Sequence, residues 1–214
     1  AGAVMGQGEG LGIELPSGHT FNLFYHSEKV GYSYGMKDPD IILENLNGVW
    51  PVTHLDHTLL AGNDCDKTAK FLQEVLDFNL TECIHGPDGN PFAFFLTVSN
   101  TIHNVAFAPG PPNSLHHIAF YVSDRADVIR RVDILKHRKV ATFDYGISRH
   151  GVAGVTTVYF HDPSGNRNEF QCGVYEASVV RNKIPPIVWA GENIPRGVFY
   201  YESAVLANFF EVVT

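Results

Sequence analysis

The chain has 214 residues, of which 44% are apolar and 18% charged, and its 15 basic against 23 acidic side chains give a formal net charge of -8. That balance excludes a phosphate-tracking surface, so nucleic acid is not an expected partner. It also excludes disorder, and no apolar run approaches the roughly 18 residues of a membrane helix. Residues 1–10 show no basic end followed by an apolar stretch, so no secretory signal is read. Cys65, Cys83 and Cys172 form no C-x-x-C pair and are expected to be reduced thiols of a cytoplasmic protein.

In the first fifty residues Leu11, Ile13 and Leu15 alternate, Pro16-Ser17-Gly18-His19 turns the chain, and Phe21, Leu23 and Tyr25 alternate again. That is a closing hairpin without an opening strand and helix, so 1–50 is expected to be the remnant of an N-terminal domain whose earlier part is absent. From Leu55 a strand to Ala61 leads to a helix capped by Asp64 or Asp66 and running through Phe78, with Ala69, Leu72, Val75 and Leu76 on one face. Leu80–Ile84, Phe92–Val98 and His103–Ala108 read as short strands. After the Pro109–Asn113 connector the order repeats. A strand at Leu115–Val122 precedes a helix capped by Ser123 or Asp124, with Val128, Ile129, Val132 and Leu135 inward. Strands near Val140–Phe143, Thr156–Phe160 and Glu169–Cys172 follow. The predicted class is α+β: paired βαβββ modules (51–110 and 111–173) in a curled, barrel-like mixed sheet. A tail, 174–214, is expected to pack back on this domain or on a neighbouring subunit.

The repetition carries the chemistry. Leu55-Asp56-His57-Thr58-Leu59-Leu60 and Leu115-His116-His117-Ile118-Ala119-Phe120 each place a histidine third in an apolar strand. Strict alternation puts His57 on the face of Leu55 and Leu59, puts His117 on the face of Leu115 and Ala119, and turns His116 away. A second echo pairs Pro16-Ser17-Gly18 with Pro163-Ser164-Gly165; four residues after each glycine stand Asn22 and Glu169. Glu169 lies on the last strand of its unit, which can sit beside the first strand when the unit curls. Cys172, three residues on, faces the other side. His57, His117 and Glu169 are then the two-histidine, one-carboxylate set that suits Fe(II) and leaves positions open, and Mn(II) tolerates the same ligands. A lone histidine in an apolar strand is more often a hydrogen-bonded core residue, and the duplicated placement is what weighs against that reading here.

These two strands, together with Tyr159-Phe160-His161-Asp162-Pro163-Ser164-Gly165-Asn166-Arg167-Asn168-Glu169, resemble the signature of the type I extradiol ring-cleavage dioxygenases of the vicinal oxygen chelate (glyoxalase-fold) superfamily. The likeness is strongest to the catechol 2,3-dioxygenase (metapyrocatechase) group and runs from about Glu9 to Thr214. It implies His57, His117 and Glu169 as Fe(II) ligands. It implies His103 as the acid–base histidine, and His150 and Tyr159 as groups that hydrogen-bond the substrate hydroxyl. It further implies extradiol (meta) cleavage of catechol or alkylcatechols with dioxygen, giving 2-hydroxymuconic semialdehyde-type products in aromatic degradation, and homo-oligomers, tetramers in the family. The family's N-terminal domain carries no metal, so a shortened one leaves the implied ligand set whole. Rival readings are a metal-dependent glyoxalase- or epimerase-type enzyme and a non-catalytic binding module on the same fold. The first usually takes a further carboxylate ligand, and the second needs no ligand set.

Overall fold

In the computed structural model, which describes residues 4–28, 52–139, 142–173, 185–204 and 207–211, the two alternating runs flanking Pro16-Ser17-Gly18 pair as β1 (Gly10–Glu14) and β2 (Thr20–Phe24). Gly18 and its echo Gly165 both turn at positive φ (89° and 90°), where a side chain would be strained. Asn22, the counterpart of Glu169, is exposed opposite Gly12 and takes no part in a site.

The first module runs β3 (His54–Gly62), α1 (Cys65–Val75), β4 (Asn79–His85), β5 (Pro91–Thr97) and β6 (Val105–Pro109). The second runs β7 (Ser114–Tyr121), α2 (Arg125–Arg138), β8 (Thr142–Arg149), β9 (Thr156–His161) and β10 (Arg167–Cys172). β11 (Ile187–Trp189), α3 (Ile194–Val198) and a 3-10 turn at Ala207–Phe210 follow. Ten elements thus repeat as two βαβββ units in one mixed sheet of order β11-β4-β5-β6-β3-β7-β10-β9-β8. In each unit the first strand lies parallel to the last (β3 with β6, β7 with β10), and the two opening strands meet antiparallel in the middle.

Period-two alternation decides what each face carries. Phe94 and Leu96 of β5 join Leu72 and Ala69 of α1, along with Leu15 of the hairpin, in one apolar cluster. Ala93 and Phe95 point to the opposite face, into a cluster with Tyr159, Phe199 and Phe209. Under α2, Val128 and Val132 meet Val122, Val158 and Cys172. Cys172 is therefore on the helix side of the sheet. The three cysteines are buried free thiols. Among the described residues no helix is long and apolar enough to cross a membrane.

Helix limits differ from expectation. The first helix stops at Val75 rather than Phe78, because Leu76 closes on the Leu72 carbonyl and Asp77 turns left-handed (φ 57°). Asp64 precedes it at φ 46° with no side-chain cap, whereas Asp124 accepts from the Asp127 amide as a helix cap should. Val75 and Ile129 are exposed rather than inward. The buried stripe of α1 is Cys65, Thr68, Ala69 and Leu72, the narrow i, i+3, i+4, i+7 set, which leaves Val75 off the edge. β8 extends to Arg149, well beyond the expected strand, whose Val140 lies outside the described residues. So do residues 29–50 of the expected N-terminal remnant and much of the expected tail.

Candidate metal centre

The central seam builds the site, and two β-bulges aim it. Along β3 and β7 the register passes from Leu55 opposite Phe120 to His57 opposite Ala119, so Asp56 is an extra residue; it then passes from Leu59 opposite His117 to Leu60 opposite Leu115, so His116 is another. A bulge suspends alternation locally and re-aims side chains. This corrects two expectations. Leu55 does not share the buried face of His57 but is 59% exposed. His116 does not point away from His117: its Nδ1 lies 2.7 Å from the Nδ1 of His117. Both bulges occupy the position just before a site histidine, and each bulged side chain meets that histidine's Nδ1, with Asp56 Oδ2 2.8 Å from His57 Nδ1.

Register brings the remaining groups into line. Glu169 stands opposite Ala119 on one side and Tyr159 on the other, and Ala119 stands opposite His57. That row across four strands holds His57 and Glu169, and His117 stands two residues from Ala119 along β7; the three are buried, with one ligand atom of each within 4.8 Å of the others. The Nε2 atoms of His57 and His117 are 3.1 Å apart, and Glu169 Oε2 is 3.5 Å and 3.2 Å from them. Donors on adjacent corners of an ion with bonds of ~2.1 Å lie ~3 Å apart, so these residues fit a divalent ion.

Hydrogen bonding supports the fit. His57 must donate from Nδ1 to the Asp56 carboxylate, which leaves its Nε2 lone pair bare. Glu169 accepts from Thr157 Oγ1 through Oε1, while its Oε2 is buried with no partner among the described residues. Burial opposes ionisation of Glu169, yet the imidazoles gathered around it, His117 first and then His150 and His57, hold its carboxyl well below the usual carboxylate range. Burial also drives His117 down to about 4, against the pull of Glu169, so its imidazole is neutral and able to ligate.

The other expected residues ring the same cavity. His103, on the loop entering β6, stacks tilted against His57 with centroids 4.1 Å apart, and its Nδ1 has no partner among the described residues. Burial, reinforced by His57, holds its pKa well below the usual histidine value. His150, at the end of β8, donates from Nδ1 to the Val198 carbonyl, so its Nε2 accepts from the Tyr159 hydroxyl at 2.7 Å. Burial pushes the Tyr159 phenol well above its usual pKa. The rest of the cavity wall is largely apolar, including Leu59, Ile84, Phe92, Ile194 and Phe210, and among the described residues no lysine or arginine lines it. Sequence reasoning missed Asp56, His116 and the wall residues from α3 and the last turn. A histidine or aspartate before each site histidine was the available signal for the first two.

Paired βαβββ modules whose seam holds a buried, one-sided set of two imidazoles and a carboxylate define a class of metal-dependent enzyme fold. Residues 54–170 match the family described as the Glyoxalase/Bleomycin resistance protein/Dioxygenase superfamily. The chain is 34% identical over its whole length to a metapyrocatechase of Pseudomonas sp. (strain CF600), covering 69% of it. It is 27% identical over 94% of its length to a manganese-dependent 2,3-dihydroxybiphenyl 1,2-dioxygenase of Geobacillus genomosp. 3, covering 64% of that protein. It superposes with a TM-score of 0.76 on the crystal structure of the 2,3-dioxygenase LapB of Pseudomonas sp. KL28, at 32% identity, over 89% of this chain and 65% of the other. The chain belongs to this superfamily, as one of its extradiol dioxygenases. It spans about two thirds of the length of the relatives it matches.

Proposed function

We propose that this chain carries the catalytic part of an enzyme that opens catechol or small alkylcatechols beside the diol, incorporating both atoms of dioxygen. One observation carries the proposal: three bare donor atoms converge on one side of a point, and the other side faces a cavity ringed by His103, His150 and Tyr159. An Fe(II) ion held by His57, His117 and Glu169 would supply adjoining positions for a diol and dioxygen and a route for electron density between them. Mn(II) fits the same ligands, and the Geobacillus relative is named as manganese-dependent.

The chain's own groups divide the remaining work. Neutral His103, with its free Nδ1, is typed to take up and return a proton beside the oxygen. Tyr159 already donates to His150, so its phenol oxygen faces the cavity as an acceptor that orients a substrate hydroxyl. The apolar wall excludes water and accepts an uncharged ring, and among the described residues no lining cation offers a substrate carboxylate a partner. A glyoxalase- or epimerase-type reaction is less well served, because the cluster of described residues contains a single carboxylate. The enzyme is proposed to act in the cytoplasm and as a homo-oligomer, as the family resemblance implies. Anaerobic loading with Fe(II), followed by catechol and air, tests the reading. A yellow 2-hydroxymuconic semialdehyde product is expected, and none from a correctly folded, iron-loaded protein refutes it.

A further inference from the structure

We propose that His116 is a positioning residue that ties the C-terminal turn to the metal ligand His117 by fixing which nitrogen of His117 carries the proton. The inference rests on the reading that His57, His117 and Glu169 hold an ion.

A backbone carbonyl can only accept, and the Phe209 carbonyl lies 2.5 Å from His116 Nε2. Arg167 Nη1, a donor, also lies 3.0 Å from that nitrogen, but the carbonyl is the nearer group and cannot face a bare lone pair at 2.5 Å, so the nitrogen carries the proton and Nη1 donates to the Glu211 carbonyl. In a neutral ring the other nitrogen, Nδ1, is then an acceptor, and it lies 2.7 Å from His117 Nδ1. His117 must donate across that gap, which leaves its own Nε2 bare and directed at His57 and Glu169. The opposite tautomer of His117 would set two lone pairs against each other at 2.7 Å. It would also put a hydrogen where the ion belongs. His116 thus does for His117 what the Asp56 carboxylate does for His57, and each does so from a bulge.

The two copies differ in what lies behind the bulged residue. Asp56 is backed by a core side chain, Gln171, at 2.5 Å. His116 is backed by the turn at Ala207–Phe210, remote in sequence. That turn is itself held by the buried guanidinium of Arg167, which donates to the carbonyls of Asn208 and Glu211 and is anchored on Asp144. Phe209 and Phe210 line the cavity. The segment that walls the substrate space therefore also sets the readiness of one ligand, through a chain of two hydrogen bonds.

The experiment compares the wild-type chain, His116→Leu and His116→Gln. Gln can accept from His117 and donate to the Phe209 carbonyl, so it reproduces both bonds; Leu reproduces neither. In the metal-free proteins, two-dimensional nitrogen–proton NMR of labelled histidine should show His117 protonated at Nδ1 in wild type and His116→Gln, and at Nε2 in His116→Leu. Titration with Mn(II) alone should give a dissociation constant raised about 10- to 100-fold in His116→Leu and restored by Gln. Wild-type affinity in the Leu variant, or failure of Gln to restore it, overturns the proposal. If the Leu variant does not fold, wild type still decides, since a proton on His117 Nε2 contradicts it. A wild-type protein that carries the expected tautomer but binds no Mn(II) or Fe(II) refutes the metal-site reading instead, so the two failures are told apart.

Discussion

His57 and His117, sixty positions apart in sequence, face each other across the β3–β7 seam with their Nε2 atoms 3.1 Å apart. Neither nitrogen is free to donate if both rings hold their protons at Nδ1, so two lone pairs and Oε2 of Glu169 converge on one point. Such an arrangement is unfavourable in a dry interior unless a cation occupies its centre.

Glu169→Gln removes the only negative charge of that trio while keeping its shape. The protein should remain folded, because Thr157 can still donate to the amide oxygen. Its iron or manganese content after loading and desalting should fall well below one ion per chain. Elemental analysis checks this, and stoichiometric metal in the variant contradicts the ligand assignment.

His103→Phe keeps an aromatic ring in contact with Phe95 and His57 but deletes the proton carrier. Turnover of catechol should drop by about 10²- to 10⁴-fold, the usual worth of a positioned acid–base group, with metal content unchanged. Steady-state rates on metal-quantified samples decide it. A variant as fast as wild type would remove His103 from the reaction.

Buried histidines make the metal-free protein acid-sensitive. His103 is depressed well below 6.5, His116 to about 2 and His117 to about 4, so each is neutral in the fold where it would be charged in the unfolded chain. The unfolded state binds protons first as pH falls below about 6.5, so stability is full above that value and is lost on the way down, to about 4 for His117 and on to about 2 for His116. The slope should approach about 1.4 kcal/mol per pH unit for each such histidine. Below about 4.5 the depressed carboxyl of Glu169 adds a loss of the same sign. Urea midpoints of the apoprotein measured from pH 8 to pH 4 should decline below pH 6.5. A flat profile between pH 7 and pH 5 would contradict the burial argument.

Cavity chemistry predicts substrate preference. With no lysine or arginine among the described residues of the lining, 3- or 4-methylcatechol should show a lower KM than 3,4-dihydroxybenzoate, by at least tenfold. A desolvated carboxylate without a partner costs well over the 1.4 kcal/mol that a factor of ten represents. Comparable KM values would mean that a cation reaches the substrate from elsewhere.

Much of this was legible beforehand because duplication is visible in letters. The L-x-H strands, the Pro-Ser-Gly echo and Glu169 identify the ligand set, and period-two alternation separates Cys172 from it. Alternation failed at Asp56 and His116, since a bulge is decided by how a partner strand pairs and leaves no mark on the bulged strand's own pattern. The first helix begins after Asp64 as expected but ends short of Phe78, where Asp77 adopts left-handed backbone. The walls from Val198, Phe209 and Phe210 had no periodicity to announce them, because they are held by Arg167 and by single carbonyl contacts such as that from His150 to Val198.

The parallel pairing of each module's first and last strands has a consequence for how the centre comes into being. The first module owns one imidazole and the second owns an imidazole and the carboxylate, and only their antiparallel seam unites them. Neither half can chelate tightly by itself. Ion capture is therefore a reporter of correct docking between halves, and two separately expressed fragments, 52–110 and 111–214, would become detectable partners by the manganese they acquire together.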